Sequence, residues 1–123
     1  MPTGTGLMAK WGDRARKATY NALQAVGFDP SIFLSFLIAF LQKCSEKDPA
    51  KARKLAFEVR YGHGNPVRNA TIRASLKRHL PKGERTVANV NKALDAAIKI
   101  DEAGFAAVCE ECRAMAPVGV EDV

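Results

Sequence analysis

From Asp29 to Leu41 the chain runs Asp-Pro-Ser-Ile-Phe-Leu-Ser-Phe-Leu-Ile-Ala-Phe-Leu, the only continuous apolar run in the sequence. Asp29 is a strong acceptor for the free N–H groups of a first helical turn. Pro30 suits the first helical position, where its missing N–H goes unused. Phe28 and Phe33 occupy the two staple positions that fix how a chain enters a helix. The run therefore reads as a helix that is apolar on every side. Such a helix must be buried, in its own domain, against another chain or in a membrane. Ile32 to Leu41 covers roughly 15 Å at the helical rise, whereas a bilayer core needs about 20 residues. The expectation is a central core helix, with no membrane span, and with any leftover apolar surface serving self-association.

The same start signal recurs. Asp48-Pro49 and Asn65-Pro66 repeat the Asp29-Pro30 pattern, so three helices each open on an Asx-Pro pair. Together with apolar spacing, this predicts helices near 11–26, 30–44, 49–61, 66–80 and 85–116, the last with a break or kink near Gly104. Gly27 should end the first in a left-handed conformation. Pro81-Lys82-Gly83 should end the fourth, and Pro117 the last. Apolar rows for a core fall at Ala52, Leu55, Ala56 and Val59, at Ile72, Leu76 and Leu80, and at Val87, Val90 and Leu94. A further row follows at Phe105, Val108 and Cys112. No sustained alternation of Val, Ile, Tyr and Thr marks a strand, and Ala, Lys, Arg and Leu dominate. The expected fold class is all-α, a small helical bundle of about five helices. It forms a single domain over 9–117, with a flexible lead at 1–8 and a frayed tail at 118–123. A chain of 123 residues suits one such domain with a real core.

The net charge of +6 is unevenly spread. Residues 43–85 carry twelve basic and four acidic side chains, a surplus of +8, whereas residues 86–123 carry three basic and seven acidic, or −4. A basic middle of this kind concentrates phosphate polyanions. On the third helix Lys47, Lys51 and Lys54 form a row away from the core face, with Tyr61 further along and Phe57 between that row and Arg53 and Arg60. The fourth adds Arg68, Arg73, Lys77 and Arg78, with Arg73 and Lys77 one turn apart. Lysines supply charge to a phosphate backbone, and an interleaved aromatic supplies a stacking surface. The competing reading is a pair of amphipathic helices with ordinary solvated basic faces. A helix-turn-helix is a poor match, because the connection Tyr61–Asn65 is longer than that motif uses. The Gly62-His63-Gly64-Asn65-Pro66 turn has the make-up of a phosphate cradle ahead of a helix N-terminus, but a turn that simply needs positive φ at its glycines is the simpler account.

Other chemistries find little to work with. Three cysteines make no disulfide framework and suit a reducing, intracellular compartment. Cys109 and Cys112 form a lone Cys-x-x-Cys. Zinc would need two further ligands, and Cys44, His63 and His79 show no paired spacing, so no metal is expected. Late in a helix, with Glu110 and Glu111 between them, these thiols are poorly placed for redox work and read as small core residues. No Gly-x-Ser-x-Gly, Walker loop or His-Glu-x-x-His is present, and no catalytic residue or cofactor is expected. Met1 to Gly6 lacks the basic and apolar regions of a secretory signal.

The leading expectation is a non-catalytic nucleic-acid-binding protein, RNA or DNA, acting through the basic surface of 47–85. Recognition would be by phosphate backbone and shape, as double-stranded RNA permits, and the protein would work as a homo-oligomer such as a homodimer. The layout fits small proteins of viral or phage origin, although no motif carries that resemblance. The alternative is a protein-interaction or assembly module that oligomerises through the apolar helix 30–44 and the acidic final helix.

Overall fold

The computed structural model describes residues 10–44 and 46–114, apart from the side chains of Ser31 and Cys44. The lead at 1–8, the tail at 118–123 and the stop at Pro117 lie outside the described residues. Within them the chain is all-helical, with α1 (Asp13–Val26), α2 (Pro30–Cys44), α3 (Pro49–Tyr61), α4 (Pro66–Lys77), α5 (Val87–Lys99) and α6 (Glu102–Arg113). A short 3₁₀ turn, Lys82–Glu84, precedes α5. No helix among the described residues is long and apolar enough to cross a membrane.

The Asx-Pro signals start the helices where expected. Asp48 accepts the N–H of Ala50, and Asn65 accepts those of Val67 and Arg68. The Asp29 carbonyl receives the N–H of Phe33 at 3.0 Å, and the Phe28 and Phe33 rings meet edge-on at 6.3 Å, as a hydrophobic staple should. Gly27 ends α1 at φ 68°, and Gly62 ends α3 at φ 72°, both left-handed conformations that cost glycine little.

The apolar helix α2 is spent inside the monomer. Phe33, Phe36 and Leu37 are 0 % exposed and Phe40 is 1 % exposed. Each such burial contributes roughly 1.5–3 kcal/mol. None of the exposed large apolar side chains lies on α2; among the described residues these are Phe57, Tyr61, Val67 and Val87. The helix packs against α4, α3 and α5. On the other side, α5 and α6 lie against both α1 and α3. That half of the core holds many small residues beside Leu94, Ile100 and Phe105: Ala15, Ala22, Ala52, Ala56, Ala93, Ala96 and Ala97 are all buried. Small side chains let helix backbones approach closely, which offsets their small individual burial.

Two boundaries and one expected core residue differ from expectation. The final helix is two helices, and the break falls at Ile100–Asp101 rather than at Gly104. Ile100 is extended (φ −67°, ψ 127°) and buried, and Asp101 caps α6 by accepting the N–H of Gly104 at 2.6 Å. A carboxylate at that position starts a new helix more effectively than a glycine ends the old one. Gly104 serves packing instead: a Cβ there would stand 2.6 Å from the Cβ of Ala18 and 2.8 Å from Asp101 Oδ1. The fourth helix is α-helical only to Lys77. Arg78, His79 and Leu80 continue in tighter i→i+3 hydrogen bonds that still bury Leu80. Val87, expected in the core, is the first residue of α5 and is 64 % exposed, while Val90, Leu94 and Ala97 are buried.

Gly104→Ala should therefore lower stability by about 1–3 kcal/mol through overpacking. Gly83→Ala, where an added Cβ meets nothing within 4 Å, should change it by less than about 0.5 kcal/mol. Urea unfolding of the two variants followed by circular dichroism checks this; equal stabilities would contradict the close approach of α1 and α6.

Candidate nucleic-acid interface

The basic surplus of 43–85 divides by residue type. Arg53, Arg60, Arg68 and Arg73, expected to reach phosphate, are half-buried and engaged within the chain. Arg53 donates from Nε to the Ile100 carbonyl and from Nη2 to the Ile98 carbonyl, both at 2.6 Å, and so holds the α5–α6 break. Arg73 donates to the Val59 and Arg60 carbonyls at the end of α3, each at 3.2 Å, and to Asn91 Oδ1 on α5 at 2.7 Å. The last four carbonyls of an α-helix have no partner within it. The forked guanidinium reaches two of them at once, which a lysine does not. Burial, then the neighbouring Arg60 charge, lowers the Arg73 pKa from its ordinary value. Arg60 pairs with Asp95 at 2.8 Å, and Arg68 pairs with Glu58 at 3.1 Å while also holding Asn69 Oδ1 at 2.9 Å.

Two further arginines, outside the set expected to bind, do similar work. Arg85 donates to the Leu80 and Arg78 carbonyls past the end of α4 at 2.9 and 3.1 Å. Arg113 donates to the Lys47 carbonyl at 2.8 Å, tying the end of α6 to the loop before α3. The signal for them is positional: an arginine a few residues beyond a helix end, or opposite one, even where an acid such as Glu84 or Glu111 lies nearby in sequence.

The Gly62–Asn65 turn is structural. Gly62 and Gly64 have φ of 72° and 78°. Asn65 already fills the start of α4, and the His63 carbonyl accepts from Asn69 Nδ2 at 2.8 Å. Arg68 lies so close over Gly64 that a Cβ would meet its Nη2 at 2.9 Å. Arg68 itself is paired with Glu58.

What remains on the surface is the lysines and an aromatic patch. Lys47, Lys51, Lys54, Lys77 and Arg78 are exposed. Lys51 and Lys54 have no side-chain partner among the described residues. Helical spacing places Lys54, Phe57 and Tyr61 along the outward face of α3, opposite the buried Ala52, Ala56 and Val59. Phe57 is 42 % and Tyr61 51 % exposed. Their ring centroids are 4.8 Å apart, the His63 ring stands edge-on to Phe57 at 5.6 Å, and the Arg60 guanidinium lies 4.7 Å from the Tyr61 ring centre. His63 is the third ring of this patch. Arg60 joins it to α5 through Asp95. His79, next to Arg78, has its pKa lowered by burial and then by the Arg78 and Arg85 charges, so it adds no cation near neutral pH.

A groove of about 570 Å³ lies between α2 and α6, floored by Ile38, Leu41, Cys109 and Cys112. Burial, then Cys109 and Glu111, pushes the Cys112 thiol up to about 12, the opposite of what a nucleophile needs. Among the described residues no three His, Cys, Asp or Glu side chains gather as a metal site. No protein-family model, curated protein or solved structure matches the chain.

The division of labour has a direct consequence for stability. Arg73→Ala strands two helix-end carbonyls and should cost about 1–3 kcal/mol, whereas Lys54→Ala should stay within about 0.5 kcal/mol of the parent. Thermal and urea unfolding of both variants measures the contrast, and an Arg73→Ala protein as stable as the parent would refute the clamp.

Proposed function

We propose that this chain binds nucleic acid without catalysing a reaction, through the outward face of α3 and the cations around it. The observation that carries the reading is the exposed Phe57–Tyr61 pair on the same outward face as Lys54, with Lys51 one turn before it, two lysines with no side-chain partner among the described residues. A solvated basic face needs no aromatic rings on its crest. Two large rings kept in water on the same face as unneutralised lysines cost burial the fold would otherwise gain. A polyanion carrying planar bases matches both halves of such a surface.

Within this proposal the phosphate contacts come from Lys47, Lys51, Lys54, Lys77 and Arg78. Arg60 supports Tyr61 rather than meeting phosphate, and Arg53, Arg68 and Arg73 hold the scaffold. The homo-oligomer expected from the sequence stands on weaker footing, because the apolar helix that motivated it is buried within one chain. Among the described residues no large apolar side chain of α2 is exposed, so the assembly-module alternative has only the groove between α2 and α6 to draw on.

Binding to a labelled 12-nucleotide oligomer, followed by fluorescence anisotropy across roughly 25–200 mM salt, tests the reading. Log affinity should fall linearly with log salt, and each of Lys51→Ala and Lys54→Ala should reduce the slope by about 0.7–0.9. Binding that ignores salt, or none near 50 mM, would refute it.

A further inference from the structure

We infer that the preferred ligand is a single strand, held by stacking of unpaired bases on the Phe57–Tyr61 platform. This inference rests on the nucleic-acid reading above and narrows it. A duplex keeps its bases stacked on one another and offers a protein phosphates, groove edges and, in RNA, 2′-hydroxyls. Exposed rings on the crest of a helix have nothing to stack on there. A single strand offers a free π-face at every nucleotide.

The platform is held in place rather than merely exposed. Asp95 on α5 fixes Arg60 at 2.8 Å, and the Arg60 guanidinium lies 4.7 Å from the centre of the Tyr61 ring. Tyr61 in turn contacts Phe57, and Phe57 meets His63, whose backbone carbonyl is tied to Asn69. This line of contacts runs from the partly exposed Asp95 on α5 to the outward face of α3 and sets the rings before a ligand arrives, so less freedom is lost on binding. The charge is placed to match. From Lys51 to Phe57 is roughly 9 Å along the helix axis, so a strand whose base lies on the rings carries its backbone past the lysines. The duplex alternative fares worse on the same observations. Shape recognition of a duplex relies on several cations held along its phosphates. Four of the arginines that would have supplied them, Arg53, Arg60, Arg68 and Arg73, bond to carbonyls or carboxylates of the chain itself.

Three ligands of one length separate the possibilities: a single-stranded oligothymidine, its duplex, and an abasic strand with the same phosphates and no bases. The parent protein should bind the base-bearing strand at least about tenfold more tightly than the abasic one, and more tightly than the duplex. Phe57→Leu keeps an apolar side chain and removes the ring; it and Tyr61→Ala should each weaken binding to the base-bearing strand by about 5- to 100-fold. Both should leave abasic binding within about twofold, whereas Lys54→Ala should weaken both ligands. Circular dichroism confirms that these surface variants fold. Equal affinity for base-bearing and abasic strands, unaffected by Phe57→Leu, or a preference for the duplex, would overturn the stacking inference while leaving the phosphate reading in place. Absence of binding to all three would overturn both.

Discussion

Burial of α2 is the constraint on which the rest of the structure depends. Phe33, Phe36, Leu37 and Phe40 are among the largest fully buried side chains, and they lie on one short helix with almost no polar side. Such a helix needs cover all round. It obtains this from α3, α4 and α5, which must then be held at angles set by large side chains. The opposite half, where α1, α3, α5 and α6 meet, sets buried alanines and Gly104 between larger side chains such as Leu94, Ile100, Phe105 and Val108. One half of the domain is therefore rich in phenylalanine, and the other brings helices close wherever alanine or Gly104 stands between them. The helix ends have to be pinned where the two halves join.

Arginine does that pinning. A helix end leaves carbonyls without partners, and short helices in a small domain have many ends in a small volume. Arg53, Arg73, Arg85 and Arg113 each donate to carbonyls at or near such ends. This reframes the basic middle of the chain. Its surplus positive charge is partly internal fastening, and only the remainder, chiefly lysine, faces water. Arginine's fixed fork suits the first task, and lysine's flexible, well-hydrated ammonium suits the second. The function proposed for the α3 face depends on that partition: the lysines are available because the arginines are occupied.

Much of the fold was legible in the sequence for local reasons. Asx-Pro pairs specify helix starts through capping and a fixed φ, and both effects act within a few residues, so the starts of α2, α3 and α4 could be read directly. The apolar run declared its burial by leaving no polar face. What could not be read depended on contacts distant in sequence. Gly104 looks like a helix breaker until α1 is seen against it, and Val87 fits the apolar spacing of α5 but precedes the turn that reaches the core. The site was half legible. Lys51, Lys54, Phe57 and Tyr61 share a helical face by spacing alone. Arg53 and Arg73 have the same spacing logic, yet they turn to carbonyls on α5 and α3 that lie far away in the chain.

The surface that results is narrow: one helical crest, two aromatic rings stiffened from below, and lysines without acidic neighbours bonded to them. Amide chemical shifts of the ¹⁵N-labelled protein, recorded while a single-stranded oligonucleotide is added, test the central claim most directly. The account predicts shifts concentrated between Lys51 and His63, with α1 and α6 left unmoved. Shifts concentrated on α1 or α6, with that stretch of α3 unchanged, would contradict it.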